Sequence, residues 1–232
     1  MKTDIIFPVY NEEHNLEKGV IKLLNFLKKQ NVNFDYRIII ADNASTDKTL
    51  KKAKKLAKKY KEVKFIHLDK KGRGRALRKS WMESSADIVC YMDIDLSTEL
   101  GAFPKCINAL EKGYDIAIGN RLNRKSKVID RTLKREILSR GYNLLLKIIF
   151  NTRIDDAQCG FKSLKTNVSK KLVPKIKNNE WFFDTELLLL AERQGYKIKQ
   201  IPIKWKDDPD TRVNIIETVW SYIKNIYRMK IK

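Results

Sequence analysis

Between residues 3 and 119, short apolar runs alternate with longer amphipathic ones, and this rhythm constrains the fold more than any other feature of the chain. Thr3–Val9, Tyr36–Ala41, Val63–Leu68, Ile88–Met92 and Asp115–Gly119 read as strands. Glu13–Lys29, Asp47–Lys61, Gly74–Ser84 and Leu100–Lys112 read as helices. Strands rich in Ile and Val on both faces must be covered on both faces. The expected fold is therefore α/β, a mostly parallel central sheet with helices on each side. The second half is less regular: helices are expected at Thr132–Phe150, Asp184–Gln194 and Asn214–Met229, and a strand at Lys197–Trp205.

Ligands of such sheets bind beyond the carboxyl ends of the strands. That directs attention to the loops after Phe7, Ile40, Met92 and Ile118. They read Pro8-Val9-Tyr10-Asn11-Glu12, Asp42-Asn43-Ala44-Ser45-Thr46-Asp47, Asp93-Ile94-Asp95-Leu96 and Gly119-Asn120-Arg121. Singly, each is a polar loop, and Asp47 could simply cap its helix. Four on one sheet edge suggest a site. Asp93 and Asp95 follow directly on an apolar strand, and residues i and i+2 of a strand point the same way. Such a pair can hold one hard divalent cation, magnesium or manganese, leaving other positions for substrate phosphates.

Composition narrows the classes. The chain has 232 residues, 43% of them apolar, enough for a packed core. Cys90, Cys106 and Cys159 have no paired spacing, which argues against a disulfide framework and for a reducing compartment. The opening residues run straight into Ile5-Ile6-Phe7, so no signal peptide is expected. The longest apolar stretch, Tyr142–Phe150, contains Lys147 and falls far below the roughly 20 residues that span a bilayer. A formal charge of +21 should attract polyanions. No RNP-like stretch or zinc-finger spacing supports nucleic acid as the partner. The lysines of 48–61 alternate with Ala53, Leu56 and Ala57, as on the solvated face of an amphipathic helix.

The loops after the first, second and fourth strands resemble the nucleotide-sugar signature of inverting family-two glycosyltransferases with the GT-A fold. Lys71-Gly72-Arg73-Gly74-Arg75-Ala76 matches the Gly-x-Gly-x-Ala segment between them. Further on, Gly119-Asn120-Arg121, Arg135 with Ser139, Asp156-Ala157-Gln158-Cys159-Gly160-Phe161-Lys162 and Phe183-Asp184-Thr185-Glu186-Leu187 resemble, in the same order, the dolichyl-phosphate mannose and glucose synthases. The resemblance runs to about Val213. It implies that residues 1–213 form the GT-A domain and 214–232 an appended basic amphipathic helix.

By that resemblance, Pro8, Tyr10, Glu12, Asp42, Asn43, Asp93 and Ile94 hold the nucleotide-sugar. Asp93 and Asp95 hold the metal, magnesium or manganese. Arg121, Arg135 and Ser139 clamp an acceptor phosphate, and Asp184 lies beside the reacting groups with Asp93, Asp95 and Arg121. Arg forks suit phosphate oxygens, and Arg135 and Ser139, at i and i+4, share one helix face. Ser97 stands where mannose synthases often carry Gln, which tilts the donor toward UDP-glucose or a related UDP-hexose. The expected acceptor is dolichyl or polyprenyl phosphate. The alternatives are GDP-mannose as donor, or a lipid-linked glycan as acceptor. Neither histidine, His14 or His67, sits in these loops. An acceptor phosphate, already charged near neutral pH, needs no general base.

Thr132–Phe150 and Val213–Lys232 mix apolar and aromatic residues with cations, as interfacial helices do. The expectation is a peripheral enzyme on the cytoplasmic face of a membrane, held either by its own interfacial helices or by a membrane-anchored partner protein.

Overall fold

The computed structural model describes residues 1–30, 34–207 and 215–231. Its first half is the expected alternation: β1 Lys2–Val9, α1 Leu16–Lys29, β2 Asp35–Asn43, α2 Thr49–Lys59, β3 Val63–Leu68, α3 Arg73–Glu83, β4 Ile88–Met92, α4 Ala102–Glu111 and β5 Ile116–Asn120. Then come β6 Lys127–Ile129, α5 Leu133–Phe150, β7 Phe161–Lys165, α6 Thr166–Leu172, α7 Phe183–Arg193, β8 Ile198–Pro202, β9 Lys204–Lys206 and α8 Ile215–Lys230.

Seven strands form one sheet in the order β3-β2-β1-β4-β7-β5-β8. Only β7 runs against the others, pairing antiparallel with both β4 and β5. Successive residues of a strand face opposite sides, and the buried side chains divide accordingly. Ile5, Phe7, Val9, Cys90 and Met92 join a core with α1, α2 and α4. Ile6, Val89 and Tyr91 join another with α3, α6, α7 and the inner face of α8. Each fully buried Phe, Leu or Ile contributes roughly 1.5–3 kcal/mol, so both faces are committed to helices.

This topology sets the site. From β1 the chain winds outward one way through β2 and β3, then returns to lay β4 on the other flank of β1. The crevice at such a reversal is where open α/β sheets bind ligands. It lies between the loops that follow Val9 and Met92.

Three expectations need correction. The anticipated strand Lys197–Trp205 is two: β8 extends the main sheet, and β9 pairs with β6 in a small parallel ribbon. β7 and α6 escaped the sequence reading because Lys162 and Ser163, both fully buried, gave the strand a polar look. Finally, Asp93 and Asp95 are not on one strand face. β4 ends at Met92, and the Leu96 N–H donates to the Asp93 carbonyl at 3.1 Å, so residues 93–96 form a turn. Leu96 takes the left-handed conformation there, with φ +53°.

Candidate active site

The two loops expected to hold the donor are stitched together. The Asn11 N–H donates to Ser45 Oγ at 3.0 Å, and the Thr46 N–H to Asn11 Oδ1 at 2.8 Å. The Glu12 N–H reaches Thr49 Oγ1 at 2.8 Å. Asp47 accepts the Thr49 N–H at 2.8 Å from just before α2, whose N-cap position is Lys48. Pro8, half-buried, is the next-to-last residue of β1, and the Lys71 ammonium sits 4.0 Å from the centre of the Tyr10 ring.

Asp42 is fully buried at the end of β2. Its Oδ2 lies 2.6 Å from Nδ1 of His67, its direct neighbour across β3. Its Oδ1 has no hydrogen-bond partner among the described residues. An orphaned carboxylate oxygen is costly unless a donor arrives, and a ribose hydroxyl or base N–H is such a donor. His67, set aside in the sequence, is therefore the side chain that orients Asp42. Asn43 serves the site indirectly: its Oδ1 accepts the Gly72 N–H at 2.8 Å and pins the 71–75 loop. Ile94 turns its side chain into the core against α1, leaving only backbone for a ligand; a Cβ on Gly19 would meet its carbonyl at 2.4 Å.

Asp93 sits at the floor of the crevice. A Cβ on Gly160 would lie 1.8 Å from its Oδ2, so residue 160 must be glycine for the carboxylate to sit there. On the other side Arg73 Nη2 donates to Oδ1 at 2.7 Å. Enclosure by protein, opposed by Arg73 and reinforced by the charges of Asp95 and Asp184, pushes the Asp93 carboxyl up to about 6. Even so, 39% of its side-chain surface stays open, toward the crevice. Asp95 is exposed and accepts the Ser97 N–H at 2.9 Å.

No three His, Cys, Asp or Glu side chains among the described residues converge to hold an ion. Asp93 at the floor of the crevice and exposed Asp95 two residues on still fit magnesium or manganese. Such ions take oxygen ligands and keep waters or substrate phosphates in their remaining positions.

The arginines expected on the acceptor side gather around Trp205. Arg121 lays its fork on buried Asp156, Nε at 2.8 Å and Nη2 at 2.8 Å, and its own N–H adds a third bond at 2.9 Å. Burial works against the Arg121 charge, but Asp156 more than offsets this and raises its pKa. Arg135 pairs with Asp207. Between them, Arg131 is 7% exposed, and its Nη1 lies 2.7 Å from Glu136. The guanidiniums of Arg121 and Arg131 both lie over the Trp205 ring, at 5.4 and 5.7 Å. The Ser139 hydroxyl, buried on α5, has no partner among the described residues. The structure thus links Arg121 to Arg135 through Trp205 and Arg131, adds Asp207, and leaves Ser139 one helical turn beyond Arg135 on α5. These last three follow no periodic pattern that sequence reasoning could have used.

Asp184, expected beside the reacting groups, lies in the interior behind Asp93. It is 4% exposed at the start of α7. Its Oδ1 accepts from the Tyr91 hydroxyl and lies 3.0 Å from Nζ of Lys162, which is wholly buried. Lys162 also donates to the Cys159 carbonyl at 2.6 Å. This cluster backs Asp93 from inside the protein. Glu186 is an anchor, gripping Arg228 of α8 at 3.0 and 2.8 Å.

Comparison with known proteins identifies the family and the fold. The chain is 29% identical over 230 residues to glycosyltransferase AglD of Haloferax volcanii, covering 98% of this chain and 37% of that protein. It is 31% identical to dolichol-phosphate mannosyltransferase of Pyrococcus furiosus, covering 99% and 64%. It is 27% identical to dolichyl-phosphate beta-glucosyltransferase of Drosophila melanogaster, covering 97% and 72%. The chain therefore spans between about a third and three quarters of these relatives. Among solved structures, glucosyl-3-phosphoglycerate synthase of Mycobacterium tuberculosis, in complex with Mn2+, UDP-glucose and phosphoglyceric acid, superimposes with a TM-score of 0.71. That match has 17% identity and covers 99% of this chain and 78% of the other, so the GT-A fold is common to both. The profile of "Glycosyl transferase family 2" matches residues 4–173. The chain belongs to glycosyl transferase family 2.

Proposed function

We propose that this protein transfers a hexose, with inversion, from a UDP-sugar to a polyprenyl or dolichyl phosphate at a membrane surface. The observation that carries the reading is the shared wall between the two halves of the site. Asp156 holds Arg121, and four residues later Gly160 backs Asp93. One loop thus fixes an anion-binding cluster beside a carboxylate pair.

Asp42, with its unpartnered Oδ1, suits the donor's ribose or base, and Tyr10 and Glu12 border the same loop. Asp93 and Asp95 would hold magnesium or manganese on the diphosphate. Bound there, the ion offsets the charge that builds on the departing nucleotide. Arg121, Arg131, Arg135 and Ser139 suit a phosphate acceptor. Each arginine already has a carboxylate partner, which keeps its charge aimed before substrate arrives and reduces reorganisation. A phosphate nucleophile, ionised near pH 7, needs orientation more than a base. Asp184 supports Asp93 through Lys162 and Tyr91 and acts as a positioning group. Similarity to glucosyl- and mannosyltransferases alike supports a hexose. Ser97 favours UDP-glucose, and GDP-mannose is the alternative supported by the Pyrococcus relative.

A lipid acceptor is favoured by the surface beside the arginines. Leu133 (75% exposed), Ile137, Leu144 and Ile148 stand outward on α5, the helix that carries Arg135 and Ser139. Trp220 (70% exposed), Ile223 and Tyr227 stand outward on α8. The two helices touch through Tyr142 and Tyr222, ring centres 4.9 Å apart. Among the described residues no helix is long and apolar enough to cross a membrane. We therefore read this face as lying in the interface, with residues 1–213 carrying the chemistry and 214–232 adding membrane contact. By the same reading the enzyme lies on the cytoplasmic leaflet, and a membrane-anchored partner is a further means of attachment.

The test is steady-state kinetics of Arg135→Ala on both substrates. Loss of a charge-assisted contact costs roughly 1.5–3 kcal/mol. The KM for polyprenyl phosphate should rise about ten- to a hundredfold, and that for the nucleotide-sugar should stay put. Normal acceptor kinetics with lost nucleotide affinity would assign these arginines to the donor instead.

A further inference from the structure

Arg73 has no role in the reading above, and its surroundings are unusual. It opens α3 and turns its side chain onto the floor of the crevice. Nη2 holds Asp93 Oδ1 at 2.7 Å, and the guanidinium lies 4.8 Å from the centre of the Trp181 ring and 5.2 Å from that of Tyr91. Its Nε is buried with no hydrogen-bond partner among the described residues. The backbone beneath it is fixed. Asn43 holds the Gly72 N–H, the Arg75 N–H donates to the Asn179 carbonyl at 3.0 Å, and a Cβ on Gly74 would collide with Phe183 at 2.6 Å. The loop cannot move easily, whereas a guanidinium between two aromatic faces can slide while its charge stays stabilised.

Asp93 Oδ2 is pressed against Gly160 and Oδ1 is taken by Arg73. A divalent ion at this carboxylate would compete with Arg73 for the same lone pairs and repel its charge. A donor diphosphate removes the conflict, because it brings anionic oxygens that a guanidinium fork can grip. We propose that Arg73 is the resident counter-cation of Asp93 and moves onto the donor diphosphate when ion and nucleotide enter together. The protein would thereby bind a divalent ion weakly alone and firmly only with a nucleoside diphosphate. This rests on the reading of Asp93 and Asp95 as the ion's ligands.

The experiment is Mn2+ titration followed by the paramagnetic resonance signal of the free ion, with and without UDP, on the wild type, Arg73→Gln, Arg73→Lys and Asp95→Asn. Circular dichroism checks that each is folded. In the wild type, UDP should tighten Mn2+ binding at least about tenfold. Arg73→Gln should bind Mn2+ without UDP about tenfold tighter than the wild type, and should bind UDP with Mn2+ about tenfold more weakly. Arg73→Lys keeps the charge without the fork. It should bind Mn2+ alone as weakly as the wild type and lose part of the UDP affinity. If Asp95→Asn abolishes UDP-dependent Mn2+ binding but Arg73→Gln binds Mn2+ alone no tighter than the wild type, the Arg73 proposal is overturned and the metal site stands. Equal tightening in the Lys and Gln variants would also overturn it, since charge would not be the cause. If the wild type binds no Mn2+ even with UDP, the metal reading falls and the Arg73 proposal with it.

Discussion

Replacing Lys162 by Met probes the buried support of the site. The side chain is wholly buried; it lies 3.0 Å from Asp184, and donates to the Cys159 carbonyl at 2.6 Å and the Tyr91 hydroxyl at 3.2 Å. Met matches its volume, so packing changes little and the loss is electrostatic. Asp184 would then be left 4% exposed without its cation. Removing one partner of a buried pair costs about 3–5 kcal/mol. For a chain of this size each kcal/mol lowers Tm by roughly 2–4 °C, so Lys162→Met should melt about 6–20 °C below the wild type. Adding Asp184→Asn should restore part of the loss, because the second change removes the stranded charge. Thermal and urea unfolding followed by circular dichroism would measure all three variants. Two outcomes would refute the reasoning: a single-variant loss below about 1 kcal/mol, or additivity of the two changes within about 0.5 kcal/mol.

Three other outcomes follow from particular contacts. Gly160→Ala places a methyl 1.8 Å from Asp93 Oδ2 and should cost most of the turnover, while Gly141→Ala, which meets nothing within 4 Å on α5, should raise stability by about 1 kcal/mol; kinetics and melting of both variants check this. Burial alone would raise the Asp156 carboxyl, but Arg121 more than offsets this and holds it below its usual range. Its stabilisation is therefore complete above the unfolded value of about 3.9 and is lost as pH falls through the folded value. The stability gap between wild type and Asp156→Asn should accordingly narrow in acid, and urea titrations from pH 7 to 3 would detect a gap that instead widens. The protein should pellet with anionic vesicles and partly release in high salt. A Leu133→Ser/Trp220→Ser variant that pellets as well as the wild type would remove α5 and α8 from the contact.

The first half of the fold was legible because its strands are apolar throughout and its helices periodic. Val63–Leu68 and Ile88–Met92 match to the residue. β7 was hidden because Lys162 and Ser163 are polar residues used in a core, which no period reveals. In the candidate site, Asp42, Asp93 and Arg121 do lie at or just beyond the ends of β2, β4 and β5, where the strand pattern put them. Partnership was not legible. Asp156 on Arg121, Asp207 on Arg135 and His67 on Asp42 are contacts 35, 72 and 25 residues apart in sequence. Asp93 and Asp95 sit on a turn that closes at Leu96 and not on a strand pleat, so the backbone does not follow the argument that singled the pair out.

The most direct test of the account is labelled sugar transfer, read in the organic phase for the lipid acceptors and as an anionic product in the aqueous phase for 3-phosphoglycerate. UDP-glucose, other UDP-hexoses and GDP-mannose would each be offered with polyprenyl phosphate, polyprenol or 3-phosphoglycerate, with magnesium or manganese present. The account predicts transfer from a UDP-hexose to polyprenyl phosphate, none to polyprenol, and loss of transfer with EDTA and in Asp95→Asn. Transfer to polyprenol or to 3-phosphoglycerate with none to polyprenyl phosphate would contradict it.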